Sequence, residues 1–526
     1  MLFNSYDFIF VFLPIALIGY QIAAAFNRKA VIAWLGLASL GFYAWWRPPF
    51  VLLLLLSIAI NYCAAVLIVR NVDNGARARF WMVGAIVVNL AVLGYFKYCF
   101  PVLNFWSATL GLQVHWSDVI LPLGISFFTF TQIAYLVDLQ QGTAQLERPF
   151  SYLLFVSFFP HLIAGPILHH REMMPQFRDD GRRGLVWSDV AVGLSWFIMG
   201  LGKKVILADH FAPSVNALYS VSGPLPAVMA WRAVLGYALQ LYFDFSGYSD
   251  MALGLARMFS IDFPLNFSSP YKATNVIDFW QRWHITLTRY ITSYVFSPVQ
   301  LWIGRRRLAK SKKISRKAMS TPEGFASMVA FPMLFTMGIA GIWHGAGLQY
   351  VAFGMLHGVY LTVNHAWRLW RSKPAPKSSI EGPAVGRLRR SATTVGCVLL
   401  TFLCVLIAQV FFRSDSCHQA MSVLAGLVGL HGLGLRTGLP GESSGEVAHQ
   451  LARMAVAFAI VWFLPNTQQI LARFKPALER TAWDTEHVNR FLLWSPNIRW
   501  ALVLSVVFLG ALVGLKDPST FLYFQF

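Results

Sequence analysis

VLLLLLSIAINYCAAVLIV, residues Val51–Val69, runs for 19 residues without a single charge. An α-helix rises about 1.5 Å per residue, so this stretch covers roughly 28 Å, close to the hydrocarbon thickness of a bilayer. Arg70, Arg77 and Arg79 follow it, and basic residues collected at one end of such a run mark a cytoplasmic boundary. The stretch reads as a transmembrane helix. Similar segments surround it. Phe8–Phe26 and Ala30–Trp46 come before; Phe80–Phe100, Val119–Val137, Val186–Leu207, Val228–Phe243, Phe325–Trp343, Gln349–Val363, Thr394–Phe412, Leu451–Leu464 and Trp500–Leu515 come after. Several are short or carry Gly and Pro, which membranes tolerate where protein surrounds the backbone. The expected fold is all-α: a polytopic integral membrane protein of roughly 11 to 13 tilted or re-entrant helices.

Composition supports this. Of 526 residues, 56% are hydrophobic, 15% aromatic and only 13% charged. A soluble domain carries about 25% charged residues, and a chain this apolar could not cover a globule with polar surface. MLFNSYDFIF at the start lacks a basic region before its apolar run, so the first segment is expected to be a retained span rather than a cleaved signal. The net charge of +20 could suggest nucleic acid, but its distribution argues against it. Basic residues gather in short connections: Arg28-Lys29, Arg70 to Arg79, Arg171–Arg183, Arg305–Lys317 and Arg368–Arg390. These loops are read as cytoplasmic, which places the N-terminus, Pro101–Asp118 and Ser414–His449 outside. No nucleic-acid partner is expected; the membrane is.

The expected organisation is a membrane core over 1–370, a cytoplasmic linker over 371–392 containing SKPAPKSSIEGP, and C-terminal transmembrane helices over 393–526 with an external loop at 414–449. That loop is too short for a folded catalytic domain. Arg473–Trp494 mixes charges with Phe, Leu and Trp, a pattern suited to an interfacial helix.

Polar groups at membrane depth are costly, so those that persist are candidates for function. His344 lies among Gly341, Gly345 and Gly347, where the backbone can bend and approach closely. A histidine titrates near neutrality and suits proton abstraction from a hydroxyl. On chemistry alone, a neutral packing histidine explains the position equally well. His284 follows Trp280, Arg282 and Trp283; Arg282 could hold a phosphate or carboxylate, while Trp and Arg also gather at headgroups. Asp244 and Asp250 could line a polar path or pair with Lys203, Lys204 or Arg257. Gly441–Gly445 spells G-x-S-x-G without a preceding strand. No metal site is expected, because the adjacent His169-His170 have no supporting carboxylate or Cys spacing and no CxxC pair exists. P-loop, dinucleotide and HExxH patterns are absent, so no bound cofactor is expected.

Five blocks stand in order along the chain: PLGISFFTFTQIAYLVD from Pro122, FFPHLIAGPI from Phe158, LYFDFSGYSDMALGLARMF from Leu241, FWQRWHITLTRYI from Phe279 and GIWHGAGLQYVAFGMLHGVYL from Gly341. With these blocks the chain resembles the membrane-bound O-acyltransferase family, in the branch that holds the membrane subunit of bacterial alginate O-acetylation. The resemblance implies a helical core around a tunnel. It implies that His344 matches the family's catalytic histidine and His284 its second signature position, with Trp280, Arg282, Trp283, Trp343, Asp244 and Asp250 as tunnel candidates. His161 and Gln281 stand where relatives often carry Gln and Arg. The resemblance further implies an acetyltransferase of the bacterial inner membrane. It would draw on acetyl-CoA from the cytoplasm and serve an exported polysaccharide through a periplasmic acetyltransferase partner and the polysaccharide synthesis machinery. In that reaction His344 would act as general base, and His284 would orient the acceptor hydroxyl or polarise the thioester carbonyl. A transporter of donor or glycan, or a D-alanyl or lipid acyltransferase of the same fold, is the competing reading.

Overall fold

The computed structural model describes residues 1–112, 114, 116, 119–163, 165–178, 184–371, 383–434, 439, 442–475, 477–478, 488–515 and 522, the side chains of 383–391 excepted. Among these, helices form and no strand does. The expected linker 371–392 lies outside the described residues apart from Arg371 and the backbone from 383, and so does Gly441. Among the described residues, seven helices are long and apolar enough to cross a membrane. Their outward faces are greasy: Leu52, Phe80 and Leu400 are 72%, 68% and 64% exposed. Apolar side chains facing outward in number require a hydrocarbon surround rather than water. The protein is an all-α, multi-pass membrane protein.

The chain divides into two units. The first comprises Met1–Asp209, Tyr242–Leu265 and Pro465–Gln525. It opens with α1 (Asp7–Phe26), α2 (Arg28–Trp46), α3 (Pro48–Arg70) and α4 (Gly75–Thr109). Asn27 ends one helix and starts the next, its side chain accepting from Ala30 N at 3.0 Å. Pro48 and Pro49 occupy the first turn of α3, where a missing N–H costs nothing. Asn61 and Asn89 exchange side-chain hydrogen bonds of 3.2 and 2.7 Å between α3 and α4, the polar contact that locks helices in lipid. Then come α5 (Ile125–Gln140), α6 (Pro149–Ser157), α7 (His170–Arg178), α8 (Trp187–Tyr219) and α9 (Ala227–Met258), the last two having residues in both units.

Several of the expected spans differ: Val186–Leu207 runs on to Tyr219 and Gln349–Val363 to Arg371, and two others differ for reasons the packing shows. Val119–Val137 becomes helical only at Ile125, because Gly124 sits at φ +68 with the Leu162 carbonyl oxygen pressed against the place a Cβ would take. Val228–Phe243 continues to Met258. Four glycines let the longer helix pack closely: a Cβ on Gly200 or Gly254 would lie 2.6 or 2.5 Å from the carbonyl oxygen of Gly247 or Gly193 respectively. Backbones in such contact let Lys204 Nζ reach Asp244 Oδ1 at 2.5 Å and Lys203 Nζ reach Asp250 Oδ2 at 2.6 Å. The carboxylates that interrupt the hydropathy are thus ion-paired inside the unit.

The second unit comprises His210–Leu241 and Asn266–Leu464, with Phe526 assigned to it outside the described residues. It holds α10 (Val276–Trp280), α11 (285–309), α12 (Pro322–His344), α13 (Leu348–Arg371), α14 (Pro383–Arg413), α15 (Cys417–Leu427) and α16 (Ser444–Phe463). Within the stretch read as an external loop, Ser416 caps α15 by accepting from Gln419 N at 3.2 Å. Arg232 donates to both carboxylate oxygens of Glu442, at 3.2 and 2.8 Å, and so fastens the chain before α16. Back in the first unit, the described part of Arg473–Trp494 holds parts of two 3₁₀ turns, Ala472–Phe474 and Arg490–Leu492, and the rest of the segment read as an interfacial helix lies largely outside the described residues. Lys475, at φ +45 before Pro476, stops the first of them. Ile498–Gly514 closes the described helices as α17 and packs against α8.

Candidate active site

α12 ends at His344 because Gly345 turns to extended backbone (φ −177°, ψ 171°), and the chain reverses over 345–347 into α13. The two helices then lie backbone to backbone. A Cβ on Gly341 would collide with the Tyr350 carbonyl oxygen, and one on Gly354 with that of Met337. Small residues are what permit this approach in lipid. It buries His344 against three rings: Trp343 at 4.7 Å, Phe412 of α14 at 4.9 Å and Phe353 of α13 at 5.7 Å between centroids.

The second histidine stands in the connection between Asn266 and α11. Asn275 caps α10 by accepting from Asp278 N at 3.0 Å, and Asp278 in turn takes Arg282 Nε at 2.7 Å. Arg282 is therefore tied within its own segment. Trp283 stacks between Phe279 (5.7 Å) and Tyr271 (6.2 Å). His284 itself sits in the left-handed region, at φ 43° and ψ 55°. A non-glycine residue pays about 1–2 kcal/mol for that conformation unless its surroundings hold it there. They do: Asn266 Oδ1 lies 2.9 Å from His284 Nδ1 and accepts from Thr286 Oγ1 at 3.0 Å, while Asn266 O accepts from Ile285 N at 3.0 Å.

This arrangement sets the tautomer. Asn266 Oδ1 is an acceptor, so His284 Nδ1 carries the proton and the lone pair resides on Nε2. Burial pushes the imidazole down to about 3, which keeps it neutral.

His357 of α13, which sequence reasoning did not single out, bridges the two regions. It accepts from Trp280 Nε1 at 3.2 Å through Nδ1, so its Nε2 bears the proton. Its ring lies parallel to Phe279 at 6.1 Å and 4.8 Å from Phe353. A series of rings therefore runs from His284 through Phe267 (6.5 Å), Trp283 (5.1 Å), Phe279 (5.7 Å), His357 (6.1 Å) and Phe353 (4.8 Å) to His344 (5.7 Å). His344, Trp343, Trp280, Trp283, His284 and Arg282 all belong to this second unit. His357 lies inside the WHGA-containing block, 13 residues after His344. Nothing in the sequence pointed to Asn266.

Asp244 and Asp250 belong to the first unit. Besides Lys204, Asp244 accepts from Leu522 N at 3.1 Å. Asp250 accepts from Trp196 Nε1 at 3.1 Å and Thr467 Oγ1 at 2.7 Å as well as from Lys203. Arg257 pairs with Asp189 and Asp262 instead. His161 is buried with Nε2 2.9 Å from the Phe155 carbonyl oxygen. The histidine at 161 thus contacts nearby backbone.

Known proteins resemble this chain along its length. The sequence model described as the membrane-bound O-acyltransferase family matches residues 148–317. A peptidoglycan O-acetyltransferase of Helicobacter pylori is 34% identical over 100% of this chain and 98% of its own length. A probable alginate O-acetylase of Pseudomonas putida is 30% identical over the full length of both chains. A teichoic acid D-alanyltransferase of Bacillus subtilis is 28% identical over 48% of this chain and 60% of its own. With a relative matched end to end at that identity, and with the helical membrane fold around it, the chain belongs to the membrane-bound O-acyltransferase family and is an O-acyltransferase.

Proposed function

We propose that this chain takes an acetyl group from a cytoplasmic thioester, acetyl-CoA, and passes it across the bacterial inner membrane. The acetyl group would O-acetylate an exported polysaccharide such as alginate, through a periplasmic acetyltransferase partner. The observation that carries the reading is the pair of buried histidines, His344 and His284, joined by one wall of rings in one unit. His344 acts as general base: it takes the proton of the acceptor hydroxyl as the oxygen attacks the thioester carbonyl, and returns it to the departing thiolate as the C–S bond breaks. Of the two roles open to His284, a lone pair on Nε2 supports orienting the hydroxyl, because that nitrogen accepts a hydrogen bond and cannot donate one. The aromatic wall keeps water from the thioester and so limits hydrolysis. Basic cytoplasmic loops such as Arg305–Lys317 favour the donor's phosphates.

Peptidoglycan is a second acceptor reading, favoured by the relative that aligns along nearly both full lengths and is named for it. The test is the O-acetyl content of both polymers in a deletion strain carrying wild type or His344→Ala at matched membrane levels. Acetylation restored by wild type alone is expected, and the polymer that regains it is the acceptor. Equal acetylation from both proteins overturns the catalytic assignment and turns the reading toward transport. Label recovered in lipid or as D-alanine overturns the acetylated polymer.

A further inference from the structure

The pair His169-His170 belongs to the first unit, whereas His284, His344 and His357 belong to the second. No carboxylate at a metal-ligand spacing accompanies it in sequence, yet the fold brings one to it. Asp138, in the last turn of α5, has a single oxygen, Oδ2, 3.2 Å from His169 Nε2 and 3.4 Å from His170 Nδ1. All three ligand atoms fall within 4.8 Å of one another.

Neighbouring residues inside a helix diverge by about 100°, which is why adjacent histidines rarely meet. Here His169 stands just outside α7, and its carbonyl accepts from the N–H groups of Glu172 and Met173 at 3.0 and 3.3 Å. His169 thus stands at the start of the helix rather than inside it, and the two ring centroids come within 4.8 Å.

The two nitrogen–oxygen separations suit ligands that share one ion. Two ligands held at about 2.0–2.1 Å on a tetrahedral zinc ion stand about 3.3 Å apart. A ring N–H bonded to a carboxylate stands about 2.9 Å from it. Both separations here are close to the first figure. The surroundings suit a metal too. Asp138 and His170 are 4% and 5% exposed, while the His169 side chain, at 23%, leaves a way in. The Asp138 carbonyl accepts from Thr143 N and Ala144 N at 2.9 and 3.1 Å, which fixes the end of α5. The Tyr135 ring stands edge-on to His170 at 5.6 Å.

We propose that Asp138, His169 and His170 bind a divalent cation of the zinc class, with a fourth position left for water, and that the ion ties the end of α5 to the start of α7. Two imidazoles and a carboxylate form a donor set for zinc rather than for calcium or magnesium. The test uses the full-length protein in detergent, purified without a histidine tag and dialysed against zinc. Metal content is measured by mass spectrometry and thermal unfolding is followed with and without chelator. Wild type is expected to retain about one zinc per chain and to lose a few degrees of unfolding temperature on chelation. Asp138→Asn, which keeps the hydrogen-bonding shape but withdraws the anionic ligand, and His170→Gln are expected to lose both properties. A wild type that retains no stoichiometric zinc overturns the proposal. So does zinc that persists unchanged in both variants, since it would then reside elsewhere.

Discussion

Asn266 makes a sharper test of the site than either histidine, because its side chain decides which nitrogen of His284 carries the proton. Asn266→Ala should lower kcat about 10- to 100-fold with little change in KM, by analogy with the loss of partners that orient ligating histidines. Acetyl transfer in membranes matched for protein level measures it. An unchanged kcat would remove the orienting role. The pH–rate profile of wild type should show no break from His284, since burial holds its imidazole near 3 and it stays neutral from about pH 5 upward. An inflection lost in His284→Gln would contradict that. His344→Ala should abolish transfer while leaving insertion intact, as measured by membrane blot beside the activity assay.

Helix contacts carry the next layer of consequence. Gly354→Leu would put carbon into the Met337 carbonyl, where even a Cβ collides with the oxygen, and should separate α12 from α13. Gly338→Ala meets only the Met355 sulfur at 3.4 Å and should be tolerated. Comparing activity and unfolding temperature of the two variants checks that the seam, rather than any small residue, positions His344. In the other unit Lys204 pairs with both Asp244 and Asp209, at 2.5 and 2.6 Å. Lys204→Met leaves carboxylates buried without their cation and should cost about 3–5 kcal/mol. Thermal unfolding in detergent reads that loss; a small shift would mean that water or another cation compensates.

For the molecule as a whole, the clustering of basic residues supplies a definite expectation for the arrangement across the membrane. Cys417, at the start of α15, should react with a membrane-impermeant maleimide in cells whose outer membrane alone has been opened. A cysteine replacing the exposed Lys313 should react only after the inner membrane is opened as well. The reverse pattern would invert the topology and with it the side from which the donor arrives.

Long-range hydropathy determined the class of fold from the chain alone, because a span of about 20 apolar residues has no other stable setting. The glycines around His344 and the family blocks also marked both histidines. Only the tertiary structure decided how far α9 runs, since Asp244 and Asp250 look like interruptions until Lys204 and Lys203 neutralise them from another helix. It alone brought Asn266 to His284, His357 to Trp280 and Asp138 to His169-His170, pairs separated by 18, 77 and at least 31 residues. Periodicity and composition report what a segment does with its own neighbours. The tautomer of a histidine or the ligand set of a cation depends on groups that meet only after the chain has packed.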